Sequence, residues 1–378
     1  MNTRSLAVAL MALLAAGAAA AQQTSVGTPE IRAMSALAFG PDEVLFVGDA
    51  DSGAVWAIDL GDETLRAGTD PVQVEDIERR IAALLGTSAD EVMIHDLAVH
   101  PRSQDVYLAV SRGRARWDAE WELPNDVASA RILLRVLPDA TIEEVGLDEV
   151  PFARAELPGP VAPEKQHPWK EGVSLRADTI TDMAYVDGLL YVTGLSNEEL
   201  ASTLWRVPYP FAGETTATSL EIFHGAHGEW ETHAPIRTFV PYRLRDEDHL
   251  LAAYLCTPLV TFRAADLVAG AHVKGRTVGE FGSGNYPLDM VVVGGPSGDR
   301  LIIANSTLPM MVVDLADVEG FEGAIDAPVE GYLAGVEYEP RPASGVLQLD
   351  RLNEANLVVL QRRPNGRLDL VSIPLRRS

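Results

Sequence analysis

An all-β fold is what the sequence predicts, and three observations predict it. First, one phrase recurs. "IHDLAVHPRSQDVYLAVSRG", "ITDMAYVDGLLYVTGLSNEE" and "YPLDMVVVGGPSGDRLIIANSTLP" each run from an Asp through two apolar stretches joined by a tight turn, the pattern of two paired strands. Less regular copies are "MSALAFGPDEVLFVGDADSG", "IRTFVPYRLRDEDHLLAAYLCTP" and "VLQLDRLNEANLVVLQRRPNG". Second, every copy is followed by a third apolar run: AVWAIDL, ILLRVLP, STLWRVPYP, PLVTFRAADL, MMVVDLADV and RLDLVSIPL. Third, most then add a weaker fourth: TIEEVGL, SLEIFHG, RTVGEFG and GYLAGVEY. Self-similar units of about 40 to 60 residues, each a four-stranded meander, are the mark of radial repetition. One such sheet cannot bury both faces alone, whereas neighbours stacked around an axis can. The prediction is a six-bladed β-propeller of four-stranded antiparallel blades.

Taken from the start, residues 1–21 read as a secretory signal peptide. Arg4 gives a positive start, Leu6 to Leu14 an apolar run, and Ala19-Ala20-Ala21 a small-residue cleavage site before Gln22. A periplasmic or secreted protein is the expectation. Residues 22–28 are a short linker, and 29–378 a single propeller domain. Because "RLDLVSIPL" ends the chain without a fourth strand, the segment Pro29 to Ala33 is expected to complete the last blade and remove a sheet edge. Between the first two blades, "VEDIERRIAALLG" (74–86) carries Ile77, Ile81, Leu84 and Leu85 at helical spacing, with acids in its first turn. It predicts one short amphipathic helix. The polar stretches 112–126 and 156–172 are expected on one rim as lids, partner surfaces or plain insertions. No later run is long and apolar enough to span a bilayer.

Composition narrows the partners. With 55 acidic against 30 basic residues the net charge is −25, which repels nucleic-acid phosphates and anionic lipid. A monomer with a small-molecule ligand in the axial funnel is expected. The single cysteine, Cys256, excludes an intrachain disulfide, so stability must come from a buried core. Ending the apolar "HLLAAYLC", it is expected to be a shielded thiol on the same side of a strand as Tyr254.

The stretch "LAFGPDEVLFVGDADSGAVWAIDL" resembles the recurring blade hairpin of six-bladed propellers of the SMP-30/gluconolactonase-like or NHL-like type, and the resemblance runs from about Met34 to Leu375. It is one of blade architecture. Members of that group include calcium- or zinc-dependent lactonases, whose metal is held at the axis by carboxylates and asparagines; that ligand set has no residue-by-residue match here.

Meander geometry brings the starts of the innermost strands, the ends of the second strands and the connections between blades to one face, where propellers place their sites. Asp96, Asp182 and Asp289 occupy the same position in three blades. The connection "EIFHGAHGEWETHAPIRTF" (221–239) carries His224, His227 and His233 in a chain of only eight histidines, and should meet Cys256 on that face. Imidazole and thiolate are ligands that copper and zinc favour. His224 and His227 are therefore expected to hold a transition metal, copper or zinc, with Cys256 and His233 competing for the third position and Asp289 contributing a carboxylate. Asp182 or Asp96 would act as general base. Zinc would give a hydrolase or lactonase, copper an oxidase. Also open are a calcium site built from the aspartates and Asn305, a polar plug of the channel, a binding module without turnover, and an interaction scaffold. There is no CxxCH, GxSxG, HExxH or nucleotide loop.

Overall fold

The computed structural model describes residues 24–375 apart from 62–64, 67, 69, 113–129, 169–171, 296–297 and 332. The signal-peptide reading of residues 1–21 and most of the 112–126 insertion lie outside the described residues. Six antiparallel sheets form the ring. Numbering blades by the chain order of their three inner strands, the innermost strands are Ala36–Phe39, Val92–Val99, Asp182–Val186, Ile236–Leu244, Pro287–Val293 and Val346–Arg351. In each blade the second strand pairs antiparallel with the first and the third with the second, as the recurring phrase predicts.

Middle strands are buried on both faces. In blade 1 every residue of Leu45–Asp49 and Ala54–Ile58 is buried. The reason is radial stacking, and the core is divided accordingly into layers between neighbouring blades. Phe46 and Val55 of blade 1 pack with Val192 and Trp205 of blade 3. Leu45, Val47 and Trp56 on the opposite face pack with Tyr107, Ala109 and Leu133 of blade 2. Blade 2 meets blade 6 through Val106 and Leu108 against Val358 and Leu360. The expected helix, Ile77–Leu85, caps that last layer with Ile77 and Ile81 buried.

The contacts between innermost strands show that the blades do not follow one another around the ring in chain order. Their spatial order is 2–1–3–4–5–6. Two outer strands produce this. After three strands of blade 1 the chain crosses past the place of blade 2 and lays Gln73–Val74 on Leu370 and Val371, giving blade 6 its fourth strand. It then builds all of blade 2 and returns as Val150–Glu156 to complete blade 1 against Ala54–Ile58.

The ring closure expected from Pro29 to Ala33 is therefore made elsewhere. Those residues form no strand, and Arg32 and Ala33 instead donate their N–H groups to Asp49. The nearby strand Ser25–Gly27 adds a fifth, outer strand to blade 1. Likewise GYLAGVEY does not complete blade 5. Leu333–Gly335 pairs with the outer edge of blade 4, and Glu339–Arg341 completes blade 5. Among the described residues no helix is long and apolar enough to cross a membrane.

Candidate functional site

All six innermost strands end or begin at one cavity of about 440 Å³ on the ring axis. Pairing registers put Asp96, Ala36, Asp182, Thr238, Asp289 and Gln348 at equivalent positions. Read in the spatial order 2–1–3–4–5–6, an aspartate stands on every second blade. Each one reaches across to the blade without an acid. Asp96 accepts the N–H of Leu37 at 2.6 Å, Asp182 that of Phe239 at 2.8 Å, and Asp289 that of Leu349 at 2.7 Å. Asp350 adds a tie from blade 6 to blade 2 by accepting the N–H of Val99 at 2.8 Å. These carboxyls thus staple adjacent blades together at the axis.

They are half-buried where the blades converge, and their partial withdrawal from water sets their ionisation. It raises Asp96 to about 8, helped by the charge of Asp182, and raises Asp289 well above the ordinary range, helped by the charge of Asp96. Burial likewise lifts Asp182 and Asp350 to about 6 against the pull of the N–H groups they accept. The residue just before the ring position is thrown out of register by a β-bulge in blades 2, 4, 5 and 6. Bulges re-aim side chains, and here they turn His95, Arg237 and Leu288 into the cavity. His95 Nε2 lies 2.7 Å from Ser111 Oγ.

His224, His227 and Cys256 do not line that cavity. They meet at the junction of blades 3 and 4, where the last strand of blade 3, Thr216–His224, runs into its connection. One ligand atom from each of the three lies within 4.8 Å of the other two. The turn is tight: Gly228, at φ 70°, donates to the carbonyl of His224 at 2.7 Å. Gly225 donates to Glu280 at 2.6 Å, and a Cβ there would fall 2.8 Å from Val329 Cγ2. This is why the sequence reads HGAHG.

Both imidazoles lean on one carboxylate. His224 Nδ1 and His227 Nδ1 lie 3.1 and 2.5 Å from Glu231 Oε1. Burial alone would raise the Glu231 pKa, but the hydrogen bonds and charges of the two histidines outweigh it and hold it at about 2. In its neutral form, an imidazole that donates Nδ1–H to this carboxylate keeps Nε2 as a lone pair for a metal. His224 is 2 % exposed, and its Nε2 has no hydrogen-bond partner. Beside it Glu280 is also 2 % exposed, raised in pKa by burial, with Oε2 unpartnered. The outer side is open, His227 being 44 % exposed.

The structure therefore brings together three of the five expected metal ligands and separates the other two. His233 is exposed beyond the end of the Glu229–Glu231 strand and is not in the group. Asp289 stands with Asp96 and Asp182 at the axis. Cys256 is half-buried and not in a strand. The strand ends at Tyr254, and Cys256 and Thr257 sit in the turn beyond with φ of 62° and 63°, so alternation along a strand does not relate Cys256 to Tyr254. Such φ values are uncommon outside glycine and rare for a β-branched residue.

Glu231 was legible in principle, four residues after His227 in the same loop. Glu280 comes from the next blade, with no local signal. Asn305 and Asp49, on the same face, are held by structural bonds: Asn305 to Asn285 and to the Ile303 carbonyl, Asp49 to four backbone and indole N–H groups.

No protein-family model matches the chain, and no curated protein matches it. Solved structures with similar coordinates include a chain of the mitotic checkpoint complex, at 11% identity and a TM-score of 0.36 over 99% of both chains. Another is a protein from Thermus thermophilus provisionally described as an oxidoreductase (glucose dehydrogenase), at 13% identity and a TM-score of 0.36 over 93% of this chain and 100% of that one.

Proposed function

We propose that the chain is an exported β-propeller protein that binds a transition metal, copper or zinc, through His224, His227 and Cys256 at the junction of blades 3 and 4. The observation that carries this reading is the convergence of three soft or borderline donors around a buried His224 Nε2 with no other partner. Burying such a nitrogen without a partner costs on the order of 1–3 kcal/mol, and a metal would remove that cost. Glu231 does for both imidazoles what orienting carboxylates do in metal sites generally. The unpartnered Glu280 adds negative charge beside them. Two histidines and one thiolate suit copper or zinc better than calcium, which takes oxygen ligands.

An open side at His227 leaves room for a water or a substrate, as hydrolysis with zinc or oxidation with copper would need. Asp96 and Asp182 line the axial cavity instead, so they are not assigned as bases for this metal.

Metal analysis of protein secreted by an expressing cell tests the proposal, with about one equivalent of copper or zinc expected. A His224→Ala/His227→Ala double variant should lose the metal and keep its β-sheet circular dichroism. Glu231→Gln, which keeps both histidines, should weaken metal affinity about 10- to 100-fold. Full metal retention by the double variant would overturn the assignment.

A further inference from the structure

The axial cavity holds a second arrangement that neither the metal site nor the stapling aspartates use. Ser111 is the next-to-last residue of the second strand of blade 2, and His95 is the bulged residue of the strand beside it. The bulge matters because side chains on a regular strand alternate between faces. It releases His95 from that alternation, and its ring lies with Nε2 2.7 Å from the Ser111 hydroxyl inside a cavity of about 440 Å³. That is the distance at which a serine hydroxyl hands its proton to a base. Burial lowers the His95 pKa, so the imidazole is the neutral, proton-accepting form at neutral pH. Directly across the sheet from Ser111 is Arg131, paired with it in register and lining the same cavity. One of its N–H groups goes to the Ile31 carbonyl. Its guanidinium brings positive charge to that cavity, which favours a developing oxyanion.

We propose that Ser111 and His95 are a nucleophile and base pair, supported by Arg131, which hydrolyses small carboxylic esters in the axial cavity. In the first half, Ser111 Oγ bonds to the ester carbonyl carbon and its proton passes to His95 Nε2, while Arg131 faces the oxyanion. Collapse breaks the carbon–oxygen bond to the alcohol, which leaves with the proton from His95. In the second half, water attacks the acyl-Ser111, giving its proton to His95. The acid is then released as that proton returns to Ser111 Oγ. The net reaction is ester plus water to acid plus alcohol, with no redox partner and no metal. The cavity lies in the lower part of the usual range for small-molecule sites, about 300–1,000 Å³, which limits the substrate to a small acyl group.

The test uses the full chain with a chelator present, so that its outcome is separate from that of the metal site. Diisopropyl fluorophosphate should add one phosphoryl group, mapped to Ser111, and 4-nitrophenyl acetate should be turned over. Ser111→Ala should abolish both while melting at the same temperature as the parent. His95→Gln should slow both by at least about 100-fold, the usual share of a positioned base. The proposal is overturned if the folded parent takes up no label, if the label maps to another residue, if folded Ser111→Ala still hydrolyses the ester, or if hydrolysis disappears with the chelator alone. Should Ser111→Ala fail to fold, labelling of the parent and its loss in His95→Gln decide the matter.

Discussion

Asp289 accepts the backbone N–H of Leu349, one blade away, at 2.7 Å with one carboxylate oxygen, and that of its own neighbour Met290 at 2.8 Å with the other. A single side chain thus ties the innermost strands of blades 5 and 6 at the point where they converge on the axis. Asp182 does the same for blades 3 and 4, using Met183 and Phe239. Burial among like charges works against these groups, yet their hydrogen bonds need an acceptor in place.

Removing the acceptor should therefore destabilise the ring. Asp289→Ala leaves the Leu349 N–H without its partner and opens space at the axis, a loss of about 1–3 kcal/mol. Asp289→Asn keeps one carbonyl oxygen and should lose less. Urea unfolding measures both. Equal midpoints for parent and alanine variant would show that the carboxyl holds nothing together.

The same carboxyls set a pH dependence whose sign follows from their direction. Asp96 is raised from 3.8 to about 8, and Asp182 and Asp350 to about 6. Between those values and 3.8 the folded protein keeps protons that the unfolded chain has released. Their favourable contribution is full below about pH 4, fades as pH rises through 6, and for Asp96 is lost through about 8. Glu231, held at about 2, works the other way, but its contribution is already constant above its ordinary 4.5. With a chelator present, the urea midpoint should fall from pH 5 to pH 8.5. Asp96→Asn should flatten the part above pH 6, and a midpoint that rises with pH would contradict the protonated state.

What the sequence shows and hides divides along the range of the interactions. The shared position of Asp96, Asp182 and Asp289 is visible because each sits in a local hairpin phrase that repeats. That they alternate around the ring is not visible, because it depends on blade 1 standing between blades 2 and 3. That order is fixed by Val150–Glu156 pairing back to Ala54–Ile58 across the whole of blade 2. The loop carrying His224 and His227 announces itself by spacing and by glycine. Its meeting with Cys256 follows from two neighbouring blades sharing a face. Glu280, which comes from the outer strand of blade 4, leaves no trace in the loop. His95 looks like a mere flank of Asp96, since a bulge has no signature in the apolar pattern.

Ring closure gives the last prediction, and it separates two segments that look equally able to provide it. Gln73–Val74 is only two residues long, but it is anchored beyond its strand pairing. Val72 and Ser372 exchange hydrogen bonds at 2.7 and 2.9 Å. The backbone N–H of Asp76 donates to Asp369 at 2.9 Å, and its carboxylate pairs with Arg363 and with Arg367, the latter at 2.7 Å. Val74 is completely buried between blade 6 and the helix that begins at Ile77. Placing a carboxylate there, in Val74→Asp, strands a charge in an apolar layer and should cost at least about 3 kcal/mol. By contrast the strand Ser25–Gly27 is an outer edge, with Val26 67% exposed, and covers little apolar surface. A variant that begins at Pro29 should keep its fold and melt within a few degrees of the parent, since deletion of an exposed edge strand removes few buried contacts. Differential scanning fluorimetry of the two variants side by side gives the answer. If the shortened chain unfolds while Val74→Asp does not, the amino-terminal segment, and not Gln73–Val74, closes the ring.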